Sequence, residues 1–487
     1  MTASAASDLS LREMLVVEDD SDILDFRCAR TGLQVWPQIR VAFLRMMMSD
    51  LLYGGQLTGK TSTKIPATRA TNTLARSVAR NLQYRLTGRC KASICVMGEG
   101  VANQWVAGRW FNRLADHFAA ACPGDTLLVE GHFEWRWPFP RHNDRVMLHA
   151  PLQAINAIEG RLRVREHHRQ RARQLVNLVT QRAQRYLQWS PGQERHEQLV
   201  EMLARKTASM PSQYAAYLAL LERIQPRLLM VGAACYGPAA SLIAAAKSQG
   251  IVTAEYQHGA VSAGHDAYNF APSIRDSEDY RRTLPDYFLG YGSWWNEQID
   301  APVQKLAIGN PHRAARLDEA DPGVSQKSDL LILSDGIEFD LYLDLARQLG
   351  AVARKKGLRV VLRPHPLERT RISSLPGTQA CGVVIDANPD LYTSLSNAHA
   401  VVSEVSTGLF EAVGIVDKIF IWDTPKSKFG YPSHPFQSFD SASMLTELLE
   451  QEGTGRVGET QADAIWARGW RDRYARFLES HGVSCGK

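Results

Sequence analysis

The sequence predicts an α/β protein made of two doubly wound parallel sheets facing a cleft. Two patterns carry the prediction. Short apolar runs alternate with helical segments along most of the chain, and polar clusters stand at the carboxyl ends of those runs. At 487 residues the chain is too long for one ordinary core, so at least two domains are expected. An apolar fraction of 45% against 22% charged residues excludes disorder for most of it.

The opening MTASAASDLSLREMLVVEDD has no basic region followed by an apolar core, so no secretory signal is expected there. No window reaches the roughly 18–20 consecutive apolar residues of a bilayer span. In GLQVWPQIRVAFLRMMMSDLLYGG, Trp36, Ile39, Phe43 and Met46 share one helical face, read as a buried helix. The polar LTGKTSTKIPATRATNTLARS that follows reads as a mobile connection. Its GKTS lacks the glycine and strand that a phosphate-binding P-loop requires.

ASICVMGEG and DTLLVEGHFEW read as strands, with a helix in QWVAGRWFNRLADHFAAA between them. From 227, RLLMVGAACYGPAASLIAAAKSQGIVTAEYQHGAV reads as strand, helix and strand, a parallel crossover whose second strand ends at Gln257, His258 and Gly259. PDYFLGYG and QKLAIGNP add two short strands. A polar linker over 312–329 then leads to LLILSDG, LRVVLRPHP, GVVID, HAVVSEVS and KIFIWD, five strands of a second sheet. The expected division is an N-terminal Rossmann-like domain with helical insertions over 1–310 and a C-terminal one over 311–487.

A net charge of +5 favours anionic ligands without demanding nucleic acid. Seven scattered cysteines with no C-x-x-C pair read as reduced thiols in a cytoplasm, without a zinc site. The segment 161–185 carries eight arginines against one glutamate. It reads either as a solvated surface helix or as a contact for an anionic membrane or a phosphate-bearing acceptor.

Three strand ends of the second sheet carry polar signatures: Asp335 and Gly336 in SDG; Arg363, His365 and Pro366 in RPHP; Ser403, Ser406, Thr407 and Glu411 in SEVSTGLFEA. Topology makes them neighbours, and hydroxyls with free N–H groups at a helix start suit a phosphate. Helix capping for Ser406 and Thr407, and a rigid loop for His365, are the plain alternatives. His258 is placed at the mouth of the first sheet, where it can activate or orient an acceptor hydroxyl beside Gln257, Gly259 and His265. Glu130 and Glu134 are alternative bases but read more simply as surface carboxylates.

The series SDG, RPHP and NPDLYTSLSNAHAVVSEVSTGLFEAVGIVDKIFIWD resembles the C-terminal domain of bacterial capsule and surface-polysaccharide transferases of the GT-B fold. In bacterial sialyltransferases and polysialyltransferases an acidic-Gly, a His-Pro and a Ser/Thr motif recur in this order. The last two bind the phosphate and base of a CMP-sugar there. The same span is similar to glycerophosphotransferases of teichoic acid synthesis. EYQHGAVSAGHDAY, LPDYFLGYGSWW and AIGNPH resemble a run in capsule biosynthesis proteins. The resemblance covers about 227–425. It implies a catalytic role for Asp335, although sialyltransferases carry two acids before the glycine where this chain has Ser334 and Asp335.

The resulting expectation is a GT-B-like glycosyltransferase that moves a sugar from a nucleotide-sugar, CMP-sugar favoured, to a glycan or lipid-linked glycan acceptor of capsule or lipopolysaccharide type. It would work in the cytoplasm, in peripheral contact with the inner membrane, with no cofactor, no metal and no nucleic acid. A CDP-glycerol-type glycerophosphotransferase, a non-catalytic nucleotide-sugar-binding protein and a UDP-GlcNAc epimerase are the alternatives.

Overall fold

The computed structural model describes residues 9–53, 65–319, 327–355, 357–366, 368–369, 383–483 and 485. In the first half, β1 (Ile94–Gly98), β2 (Asn103–Val106), β3 (Arg109–Asn112), β4 (Thr126–Glu130) and β5 (Val146–Leu148) precede β6 (Leu228–Gly232), β7 (Val252–Tyr256), β8 (Tyr287–Gly290) and β9 (Gln304–Ala307). The second half holds β10 (Asp329–Leu333), β11 (Arg359–Arg363), β12 (Val384–Ile385), β13 (Ala398–Ser403), β14 (Lys418–Trp422) and β15 (Gln437–Phe439). One parallel sheet runs β5-β4-β1-β6-β7-β8-β9 and a second β12-β11-β10-β13-β14-β15. Numbered within itself, each sheet begins 3-2-1-4-5-6, the order of a doubly wound nucleotide-binding sheet. Its growth reverses once, between β1 and β6 and between β10 and β13. The expected architecture of two such sheets is therefore present.

Strands β1, β4, β6 and β10 are buried from end to end. Their near-continuous apolar runs follow from cover on both faces. The covering helices include Ala240–Ser248 in the first half and Phe339–Lys355 in the second. Helix Trp470–Ser480 follows the second sheet in sequence yet packs on the first. Trp470, Tyr474 and Phe477 lie among Phe118, Met230 and Tyr256, and Cys485 meets Cys122. Cys122 and Cys485, 363 residues apart in sequence, are thereby brought side by side, with Cα atoms 5.1 Å apart.

Some local readings change. QWVAGRWFN is not helical: β2 and β3 form an antiparallel hairpin across Ala107 and Gly108, both at positive φ (48° and 76°), a turn that matches strand twist. Residues 67–86 form a helix where a mobile connection was expected; the preceding 57–64 lie outside the described residues. Strands β5 and β15, three residues each, carry too short a pattern to read. The arginine-rich segment spans two helices, Ala150–Arg163 and Glu166–Leu187. Several of its cations are paired within the chain: Arg169 with Glu201 (2.8 Å), Arg173 with Glu197 (2.9 Å) and Arg182 with Asp20 (2.6 Å).

The halves meet along an apolar seam running from Trp36 and Phe43 through Tyr268 and Trp295 to Phe410, Leu333 and Val401. The rings of Trp295 and Phe410 pack with centroids 4.5 Å apart, tilted at 50°, and the indole N–H of Trp466 donates to the carbonyl of Phe410 (2.9 Å). Gly264 lies so close to the second half that a Cβ would stand 2.0 Å from the carbonyl oxygen of Phe429. No helix among the described residues is long and apolar enough to cross a membrane.

Candidate active site

In the second half the three polar strand ends converge as expected. Leu333 and Arg363 are register partners, as are Ile332 and Val402. Most of their side chains, however, are engaged with one another. Asp335 Oδ1 accepts the N–H of Ile337 (2.9 Å), and its Oδ2 lies 2.6 Å from Lys426 Nζ. Lys426 also meets Glu338 (2.7 Å) and Glu404 (2.8 Å). Burial opposes the charge on Lys426, but the three carboxylates outweigh it and hold the pKa above the ordinary lysine value. Arg363 donates to Asp386 (2.5 Å), Ser394 (2.9 Å) and the carbonyl of Asn388 (3.0 Å). Ser403 donates to the carbonyl of Leu333 (2.7 Å). Ser406 Oγ accepts the N–H of Gly408 (3.2 Å), and Thr407 precedes the four-residue helix Gly408–Glu411.

Gly336, at φ +88°, lets the turn after β10 press on His365: a Cβ there would stand 2.7 Å from Nδ1. Glu368 fixes the His-Pro loop by accepting from Ser334 Oγ (2.9 Å) and the N–H of His365 (2.8 Å). Pro366 is exposed beside it. Burial lowers the pKa of His365. Glu411 turns toward Tyr392, Arg313 and Tyr291, at the junction of the halves.

In the first half the loop after β7 is bolted from below. Arg40, fully buried and paired with Glu18 (2.7 Å), donates to the carbonyls of Asp266 and Asn269 (2.5 Å each). Arg45 grips the Asp266 carboxylate (3.0 Å), and Gln257 spans the N–H of Tyr291 and the carbonyl of Gly259. A loop so held fixes the direction of its imidazoles.

Those imidazoles belong to one hydrogen-bonded chain. The N–H of Ala267 donates to His265 Nδ1 (3.2 Å), which leaves His265 Nε2–H to donate to the Tyr236 hydroxyl (3.0 Å). Tyr236 then turns its proton toward His258 Nε2 (3.5 Å), His258 Nδ1–H faces the Tyr268 hydroxyl (3.4 Å), and Tyr268 donates to Glu255 Oε1 (2.5 Å). Every donor points toward Glu255. Burial, with the cations of Arg113 and Arg45 and the neighbouring His265, pushes the pKa of His258 down to about 3; burial pushes Glu255 up to about 7. His258 is therefore a neutral imidazole backed by a carboxyl group that titrates near neutrality.

Tyr236 also lines a cavity of about 570 Å³ at the switch point of the first sheet, with Glu99, His132, Gln153, Asn156 and Tyr217. His132 Nδ1, Gln153 Oε1 and Asn156 Oδ1 are buried there with no hydrogen-bond partner among the described residues. Burial raises the Glu99 carboxyl pKa. Arg113, between β3 and the helix Asp116–Ala121, sends its field into His258, Tyr291 and His312. A smaller space of about 250 Å³ brings His265, Asp266 and Arg45 opposite Ile337, Val405 and Lys426 of the second half. Glu130 is not a surface carboxylate. It is fully buried, 3.5 Å from Arg141 and held by the amide of Asn103 (2.8 Å). Glu134 pairs with Arg136 (2.6 Å).

Sequence reading missed Glu99, Tyr236, Glu255, Tyr268 and Lys426. The Gly-Glu-Gly that ends β1 was the available signal for Glu99, since it mirrors Gln-His-Gly after β7.

No protein-family model matches the chain, and no curated protein matches it in sequence. Among solved structures, similarity is found to a Staphylococcus aureus MnaA–UDP co-structure, at 9% identity and TM-score 0.47, covering 81% of this chain and 98% of that one. A UDP-GlcNAc 2-epimerase from Neisseria meningitidis bound to UDP-GlcNAc is 12% identical with TM-score 0.40, covering 80% and 98%. The glycotransferase of kitacinnamycin is 10% identical with TM-score 0.44, covering 80% and 99%. At such identities and TM-scores these likenesses assign no activity, and the architecture rests on the strand order itself.

Proposed function

We propose that the protein is a glycosyltransferase of GT-B type that uses a nucleotide-sugar, CMP-sugar favoured, to glycosylate a surface-polysaccharide acceptor. The observation that carries this reading is the donor chain from His265 through Tyr236, His258 and Tyr268 to Glu255. It meets, at Tyr236, a cavity lined by unpartnered polar atoms. The resemblance of the second-half motifs supports the nucleotide side.

In this reading the acceptor hydroxyl enters the first-sheet cavity and hydrogen-bonds Tyr236. As its oxygen attacks the anomeric carbon of the donor, its proton passes to Tyr236, whose own proton goes to His258 Nε2. The bond from that carbon to the phosphate oxygen breaks, and the nucleotide leaves as the anion. Burial holds the His258 pKa near about 3, so the imidazolium is short-lived and depends on ionised Glu255, reached through Tyr268, while Arg113 stabilises the leaving phosphate. Asp335, held by Lys426, shapes the turn beside the nucleotide instead of taking a proton.

The test is product analysis with CMP-, CDP- and UDP-activated sugars. Transfer, or donor hydrolysis without an acceptor, supports the reading, and a released glycerol-phosphate unit would make the protein a glycerophosphotransferase. Absence of any turnover alongside tight nucleotide binding would leave a binding protein. The carboxyl–tyrosine–histidine set also favours a second reading, an epimerase. Proton exchange with solvent at the sugar carbon bearing the acidic hydrogen, with no glycosidic product, would select it.

A further inference from the structure

Two helices of the first half carry apolar side chains that no other part of the described chain covers. On Ala67–Leu86, Val78, Leu82 and Leu86 recur at every fourth position and are 50%, 49% and 79% exposed. On Ala150–Arg163, Ile155, Ile158 and Leu162 are 55%, 55% and 68% exposed. The helices flank one groove of about 440 Å³, with Val78 and Leu82 on one wall and Leu152 and Ile155 on the other. An apolar surface of this extent rimmed by charge marks an interaction site.

The charge names the partner. The two helices contain Arg69, Arg76, Arg80, Arg85, Arg161 and Arg163 against Glu159 alone, and Glu159 is already bonded to Arg163 (3.1 Å). Helix Ala67–Leu86 has no acidic residue. Arg76 and Arg80 lie over the rings of Trp137 and Phe139, and Arg163 alone of the six has a carboxylate partner among the described residues. Exposed leucine, isoleucine and valine here stand among cations that keep a net positive charge, which matches the interface of an anionic bilayer, where apolar groups enter below the headgroups and cations meet the phosphates. The arginines of Glu166–Leu187 are a poorer match, because Arg169, Arg173 and Arg182 are already paired.

We propose that the face formed by Ala67–Leu86 and Ala150–Arg163 seats the protein on the surface of an anionic lipid bilayer. The second of these helices also turns Gln153 and Asn156 into the cavity at the first-sheet switch point. Docking through its apolar side therefore holds the mouth of that cavity beside the headgroups, within reach of a lipid-linked ligand. The surface is read from exposure and charge alone and does not rest on the transfer reaction.

The experiment is co-sedimentation of the full chain with phosphatidylcholine vesicles prepared with and without phosphatidylglycerol, over a salt series. Binding is expected with phosphatidylglycerol only, weakening as salt rises. Leu86→Asp with Leu162→Asp, at the two most exposed positions, should lower vesicle affinity at least about tenfold while leaving the melting temperature unchanged. Arg173→Gln, in the paired helix, should leave vesicle binding as it is. Equal binding to neutral vesicles, no vesicle binding, or full affinity in the doubly substituted protein would overturn the proposal. So would a concentration-dependent dimer abolished by the same two substitutions, which would make a second copy of the chain the occupant.

Discussion

The two sheets share a strand order and face each other, yet their strand ends use polar residues in opposite ways. After β10, β11 and β13 the charged groups are engaged with one another: Lys426 bridges Asp335, Glu338 and Glu404, and Arg363 is taken by Asp386 and Ser394. After β4 and β7 some polar groups are likewise fixed, Gln257 on Tyr291 and Gly259 and Asp266 on Arg45, but His132 Nδ1 has no hydrogen-bond partner among the described residues and a directed relay runs from His265 to Glu255. A polar strand end is thus no sign of chemistry by itself. What separates the two cases is whether the group's partners are other groups of the same cluster or an open cavity. In the proposed reading the second sheet is the rigid wall that holds the nucleotide, and the first supplies the reactive groups.

The contrast breaks most visibly at His258. His258→Ala is expected to lower turnover by about 100-fold to 10,000-fold, the usual cost of losing a general base, with nucleotide affinity nearly intact. His265→Ala, one hydrogen bond further from Glu255, should cost less. A His258→Ala protein with wild-type turnover and a depressed melting temperature would make the histidine a packing residue.

On the other sheet, Lys426→Met leaves three buried or half-buried carboxylates without their cation and should destabilise the fold by about 3–5 kcal/mol, measured by denaturant unfolding. Activity per folded molecule should fall far less than for His258→Ala. A stable Lys426→Met protein would show that the carboxylates are neutral without the lysine.

His365, pressed by the Gly336 turn and held through its N–H by Glu368, is the side chain of the second sheet that the proposed reading sets against the nucleotide. His365→Ala should weaken binding of the preferred nucleotide by about 1–3 kcal/mol in calorimetry, with little change in the rate of bound substrate. Unchanged affinity for CMP, CDP and UDP alike would move the nucleotide elsewhere.

The relay also predicts a pair of pH profiles. Glu255 faces Tyr268, the N–H of Cys235 and the field of Glu99, and burial raises its pKa to about 7, well above an unfolded glutamate near 4.3. The native state therefore favours the proton, so this group's stabilising share is full below about pH 4.3 and is lost as pH rises through about 7. Activity should move the other way, rising through about 7 as the carboxylate that backs His258 forms. Glu255→Gln should flatten both profiles, read as melting temperature and kcat/KM. Profiles unchanged by that substitution would detach Glu255 from the relay.

Much of this architecture was legible in the sequence because buried parallel strands write themselves as unbroken apolar runs, as in LLMVG and KIFIW. The convergence of Asp335, Arg363, His365 and Ser403 was legible too, since strand order alone makes their positions neighbours. What those residues touch was not. Lys426 neutralises Asp335 from 91 positions away in the sequence, and Arg40 fixes the His258 loop from 226 positions before Asp266. Tyr236 and Tyr268 each read as ordinary aromatic residues until folding sets them on either side of one imidazole. Short strands such as β5 and the hairpin β2–β3 escaped for a local reason, having too few residues to show a period.

The central claim, that the first sheet acts and the second holds the nucleotide, is tested most directly by a crystal structure with a bound nucleotide-sugar. The phosphates are expected within hydrogen-bond reach of residues 335–336, 363–366 or 403–407, with the anomeric carbon of the sugar turned toward Tyr236 and His258. A nucleotide lying in the first-sheet cavity against Glu99 and His132, with its sugar away from His258, would contradict the account.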